Sequence, residues 1–192
     1  MAEQRWIWGT SPTNEQQERL DDAPLEVVTH GFAFDEGVLI TDEIPTLTIR
    51  RNAATVGDPA DYLMVPGARG FLVSPRLRAV LDSRAVDNIQ YFPVRLETPA
   101  ERSVREDYAI ANLVGRVRCI DIRGSELSMD PTHPREIMFA DSLALRPDLP
   151  DLPMFRAAES ARVIVVTEDL QAACSAAGIR GLEFSRPAET TL

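Results

Sequence analysis

One stretch of this chain is written twice, and that duplication limits the fold more than any other feature. Residues 71–92 read FLVSPRLRAVLDSRAVDNIQYF, and 93 residues further on residues 164–185 read IVVTEDLQAACSAAGIRGLEFS. The copies align without a gap: Ser74 with Thr167, Leu77 with Leu170, Leu81 with Cys174, Ala85 with Gly178, Ile89 with Leu182 and Tyr91 with Phe184. Each runs from an apolar triplet through a hydroxyl residue and a short helical stretch to a turn and a second strand. Ser74 and Thr167 are residue types that cap helices, and Pro75 suits a first helical position, where a missing N–H costs nothing. Leu77, Val80 and Leu81 then fall at i, i+3 and i+4, one face of a helix ending near Arg84. In the second copy Glu168 and Asp169 occupy the first turn, where the helix dipole favours carboxylates, and Gly178 sits at the stop. Nothing in either copy is chemically reactive. The repeat predicts scaffold and surface before catalysis.

The remaining segments read mostly as short strands. Residues 108–114 and 117–122 are apolar and joined at Gly115, and 137–145 has room for two short strands. Residues 146–153 (RPDLPDLP) form a proline-stiffened connector. In the N-terminal third, 25–29, 32–34, 38–41 and 45–49 are brief apolar runs broken by Gly31, Gly37 and Pro45, with Asp35-Glu36-Gly37 as a hairpin tip. Residues 5–8 dock as an edge strand, with Trp6 and Trp8 on one face of the extended segment. The structural reading, a strand pinned to the core by two indoles, outranks that of an exposed binding anchor. Few crossovers are long enough for a parallel sheet. The expected fold is therefore α+β: a mainly antiparallel sheet with two short helices from the duplicated strand-helix-strand unit. At 192 residues it forms one compact domain, with an acidic β/loop region at 1–60, a core at 61–185 and a flexible tail at 186–192.

Charge narrows the function. The net charge is −10, and residues 1–43 hold ten acids against Arg5 and Arg19, which leaves only −2 for the other 149 positions. All twenty bases are arginine. A nucleic-acid binder is expected to carry a positive stripe, and this chain carries the opposite sign. An acidic region attracts basic proteins, although a plain solubilising segment has the same composition. No apolar stretch approaches a membrane span, and the N-terminus lacks a basic-then-apolar export signal. Cys119 and Cys174 make neither a disulfide framework nor a metal spacing, so the expectation is a reduced, cytoplasmic protein.

The usual marks of catalysis are missing. There is no nucleophile elbow, phosphate loop or dinucleotide fingerprint. His30 and His133 stand apart in turn-like contexts, and paired carboxylates such as Asp21/Asp22 and Glu106/Asp107 are what any acidic chain supplies. Asp58/Asp61 and Asp148/Asp151 give no metal pattern either. No cofactor or metal is expected.

The segments FLVSPRLRAVLDSRAVDNIQYFPVRL, DYAIANLVGRVRCIDIRGSEL and MFRAAESARVIVVTEDLQAACSAAGIRGLEF, in that order, resemble a large family of bacterial immunity proteins. That family was first catalogued as a domain of unknown function and later assigned to polymorphic toxin systems. The resemblance spans roughly residues 61–184. It rests on the strand-hydroxyl-helix unit, Phe92-Pro93-Val94, Asp107-Tyr108 with Asn112, Cys119-Ile120-Asp121, Met154-Phe155-Arg156 and Gly178-Ile179-Arg180-Gly181-Leu182. Cys174, where a larger apolar residue is usual, and the proline-rich 146–153 depart from it. The resemblance implies a protein that binds and blocks a cognate toxin, with no catalytic residues to carry over. Combined with the charge, it leads to the expectation of a basic, nuclease-type toxin met by Asp35, Glu36, Asp42 and Glu43. The alternatives left open are a small carboxylate-using enzyme that reverses a toxin's modification and a homodimeric adaptor. The sequence leaves the oligomeric state unspecified.

Overall fold

Both capping residues act as their positions predict. In the computed structural model, which describes residues 4–10, 20–21, 34–66, 70–133 and 137–191, Ser74 Oγ accepts from Leu77 N (3.1 Å) and Thr167 Oγ1 from Leu170 N (3.3 Å). They open helices α1 (Pro75–Ser83) and α2 (Glu168–Ala176). Among the described residues thirteen strands surround them. These are β1 (Arg5–Thr10), β2 (Leu47–Arg50), β3 (Tyr62–Val65), β4 (Gly70–Val73), β5 (Ile89–Thr98), β6 (Ser103–Arg105) and β7 (Ala109–Leu113). Then come β8 (Arg116–Val117), β9 (Glu126–Met129), β10 (Ile137–Ser142), β11 (Met154–Ala157), β12 (Ile164–Thr167) and β13 (Leu182–Ser185). One sheet runs β2-β5-β7-β4-β3 with β6 also on β5, a second runs β13-β1-β12-β11-β8, and β9 and β10 form a hairpin. Among the described strands only β2–β5 and β8–β11 pair in parallel; the fold is α+β and mainly antiparallel.

The duplication reaches further than the sequence shows. The two strands of each copy do not touch: β7 lies between β4 and β5, and β1 between β12 and β13. Ala111 pairs with Phe71 and Tyr91, while Trp8 pairs with Ile164 and Phe184. Because Phe71 aligns with Ile164 and Tyr91 with Phe184, Trp8 and Ala111 hold equivalent places. The outer strands of the two units match as well, since Met64 of β3 faces Phe71 and Arg156 of β11 faces Ile164, although β11 carries β8 on its far side. The repeated unit is thus four strands and a helix. β1 is a central strand, not the edge strand its position suggested. Its counterpart β7 follows α1 in the chain, whereas β1 precedes α2 by more than 150 residues, so no linear alignment relates them.

The two units share a core. On the period-2 alternation of a strand, β4 turns Phe71 and Val73 inward with Leu77 and Leu81 of α1. β12 does the same with Ile164 and Val166, beside Leu170 and Cys174 of α2. Trp8 closes this core edge-on to Tyr62 (5.6 Å) and Phe184 (5.7 Å), and Trp6 flanks it beneath the Arg186 guanidinium (3.9 Å). The indoles pin the strand, as the structural reading required. Leu72 and Val165 face the opposite way into two outer clusters, one around Phe34, Leu47 and Ile110 and one around Ile7, Phe155 and Val163. Across the junction, buried Asp61 accepts from Ser74 Oγ (2.6 Å) and from Arg180 N (2.9 Å), while Arg180 O accepts from Asp61 N (3.0 Å) and Tyr62 N (3.1 Å).

Other segments differ from expectation in detail. In the run 117–122 the strand stops at Val117, and Ile120 makes a lone bridge to Leu145. The segment after β13, read from the sequence as a tail, forms a 3-10 turn at Pro187–Glu189. Pro187 O accepts from Leu143 N (3.0 Å), and Thr190 is buried. The run 25–29, residues 32 and 33, His30 and the acids Glu3, Glu15, Glu18, Asp22 and Glu26 lie outside the described residues.

Candidate interaction surface

The run 38–41, expected as a strand, is held without a main-chain ladder. Gln90 and Asn112 are register partners on β5 and β7, and their side-chain amides take the place of a neighbouring strand. Ile40 N donates to Gln90 Oε1 and Gln90 Nε2 donates to Ile40 O, both at 2.9 Å. Asn112 Nδ2 donates to Val38 O (2.8 Å) and to Gln90 Oε1 (2.9 Å). Just upstream, Gly115 N donates to Gly37 O (2.7 Å) and Arg116 Nε to Glu36 O (2.6 Å). Gly37 has φ +67°, and a Cβ there would lie 2.9 Å from both Gly115 O and Arg116 Cγ. Only glycine fits that turn.

Residues 36–40 are therefore fixed at five main-chain atoms, a rigid loop rather than a mobile one. Between the tethers it exposes two aliphatic side chains, Val38 at 59% and Leu39 at 57%. Asp42 and Glu43, both exposed, follow directly. The structure brings these four side chains into one exposed stretch. Asp35 and Glu36 stand differently, half-buried where the loop meets the frame. The carboxylate of Asp35 faces Arg156: burial pulls that guanidinium down to about 10, and Asp35 opposes the shift. Arg156 Nη1 donates to Ala161 O. The four acids expected at one surface thus divide into an outer pair and an inner pair. Val38, Leu39, Gln90 and Asn112 were missed from sequence; the one signal for them was Asn112, a carboxamide inside the apolar run of β7.

Elsewhere the chemistry is structural. Asp130 Oδ1 accepts from Thr132 Oγ1 (2.6 Å), Thr132 N (2.7 Å) and His133 N (3.1 Å), which holds its carboxyl down at about 2. His133 is exposed on that turn. Burial pushes the Cys119 thiol up to about 12, with the Glu159 carboxylate adding to the effect, and burial alone does the same for Cys174. Protonated, buried thiols are poor nucleophiles. A groove of about 970 Å³ mixes Arg118, Arg123 and Arg146 with Asp121, Asp148 and Glu159. Among the described residues no three His, Cys, Asp or Glu side chains gather closely enough to hold a metal ion. Among them, too, no helix is long and apolar enough to cross a membrane.

The family model for immunity proteins of the Imm11 family matches residues 1–189. That span is wider than the resemblance over 61–184 and takes in β1, an interior strand of the second sheet. No curated protein matches the chain.

Proposed function

This chain belongs to the Imm11 immunity protein family, and we propose that it neutralises a basic, nuclease-type toxin domain by non-covalent occlusion. The proposed contact is the stretch carrying Asp35, Glu36, Asp42 and Glu43. The observation that carries this reading is the clamped loop, fixed over residues 36–40 and followed two residues on by the exposed carboxylates of Asp42 and Glu43. A surface ordered before contact loses little freedom on binding, which favours tight complexes. Enzymes that cleave nucleic acid need basic surfaces, and an acidic inhibitor occupies such a surface in place of phosphate. Asp42 and Glu43 face solvent and steer the encounter; Asp35 and Glu36 act at closer range, near the frame. The net charge of −10 adds long-range attraction, and speed matters because the inhibitor must arrive before damage accumulates. The proposed setting is the cytoplasm. No bond is made or broken.

The test is co-expression with a candidate toxin domain from a neighbouring gene. Restored growth and a co-purifying complex are expected. A purified chain that leaves the toxin fully active and forms no complex overturns the proposal.

A further inference from the structure

We propose that Leu39, assisted by Val38, is the apolar anchor of this interface, entering an apolar pocket bordered by basic residues on the toxin, and that Gln90 and Asn112 are positioning residues that hold it there. The inference rests on the immunity reading above and names what that surface recognises. Its first support is the tethering. Val38 O and both main-chain groups of Ile40 are bonded to side-chain amides, so the residue between them is presented at a fixed place, 57% exposed.

The second support is the asymmetry of the two units. Asn112 is fully buried in β7, a strand whose other residues are all apolar and buried, and its Oδ1 has no hydrogen-bond partner. A buried amide with an orphaned acceptor costs stability. The scaffold does not require it. In the other unit the positions equivalent to Gln90 and Asn112 are Glu183 and Gly9, paired in the same register without any amide clamp. The clamp exists only where the loop docks.

The third support is chemical. An exposed aliphatic pair followed within a few residues by Asp42 and Glu43 reproduces the plan of a protein interface, an apolar centre with a charged rim. Charge complementarity commits the occupant: a partner surface with basic groups around an apolar recess, which is the toxin and not a second copy of this acidic chain.

Stopped-flow association and dissociation with the neighbouring toxin domain test this. Val38→Ala/Leu39→Ala is expected to raise koff about tenfold or more and to leave kon within about twofold. Asp42→Lys/Glu43→Lys is expected to lower kon and flatten its salt dependence. Gln90→Ala, at a half-buried site, is expected to raise koff as well. Adding Leu39→Ala to it should then cost less than it does alone, since a displaced anchor has little left to lose. Unfolding midpoints check that each variant is folded. Wild-type binding with an unchanged koff in the Val38/Leu39 variant overturns the anchor and leaves the immunity reading standing. Additive Gln90 and Leu39 effects overturn the positioning role. Failure of the wild-type chain to bind the toxin removes both readings.

Discussion

Ala85 and Gly178 hold the same place in the two units and share one backbone conformation, with φ +53° and +60°. Each closes its helix with the same pair of bonds. Val86 N donates to Leu81 O (3.1 Å) and Ala85 N to Asp82 O (3.1 Å); Ile179 N donates to Cys174 O (3.1 Å) and Gly178 N to Ser175 O (3.0 Å). This is a left-handed C-terminal cap, which costs glycine nothing and costs alanine about 1 kcal/mol. Ala85→Gly is therefore expected to raise stability by roughly 0.5–1 kcal/mol, and Gly178→Ala to lower it by a similar amount. Urea midpoints at constant m-value read both; shifts of the same sign in the two variants, or no shift in either, would contradict the cap assignment.

The shared core makes its members sensitive to charge and size. Leu77 and Leu170 are fully buried, so Leu77→Asp or Leu170→Asp is expected to abolish folding, an unpaired carboxylate replacing a packed side chain. Trp8→Ala removes the ring that meets Tyr62, Phe71 and Phe184 and is expected to cost about 3–5 kcal/mol. Asp61→Ala strands Ser74 Oγ and Arg180 N at the junction, for about 1–3 kcal/mol. Circular dichroism and denaturant unfolding measure each. A folded Leu170→Asp protein would place α2 elsewhere.

Alkali is expected to unfold the protein earlier than its arginines would suggest. Burial holds Cys119, Cys174 and Tyr91 up at about 12; Glu159 adds to the shift at Cys119, and at Tyr91 Asp82 adds while Arg78 opposes. Unfolded, the thiols ionise near 9 and the phenol near 10. Their stabilising contribution is complete below pH 9 and is lost as pH rises towards 12. Denaturant midpoints from pH 7 to 11 are expected to fall above pH 9, less steeply for Cys174→Ala. A flat profile to pH 11 would contradict the burial of these groups.

The helices were legible because a capping hydroxyl and apolar i, i+4 spacing coincide within ten residues at Ser74–Ser83 and Thr167–Ala176, joined by Pro75 at the start of the first and by Glu168 and Asp169 in the first turn of the second. The central and edge strands of the repeat were not. Four or five residues buried almost throughout, as in β3, β7 and β11, show no period-2 pattern to mark a strand, and the central strands sit on opposite sides of their helices in the chain. The clamped loop stayed hidden for another reason. Its bonds come from Gln90 and Asn112, residues fifty and more positions away, and no local pattern in 36–43 reports them. The four acids were legible as charge, but which of them face solvent was decided by Arg116 and the turn at Gly37.

Amide hydrogen exchange on the toxin complex tests the central claim most directly. The amides of Leu39, Thr41, Asp42 and Glu43 are expected to slow markedly on complex formation, while those of the groove at 118–123 and 146–148 keep their free-state rates. A tight, inhibited complex in which 38–43 exchange as in the free protein, with protection appearing at the groove instead, would contradict it.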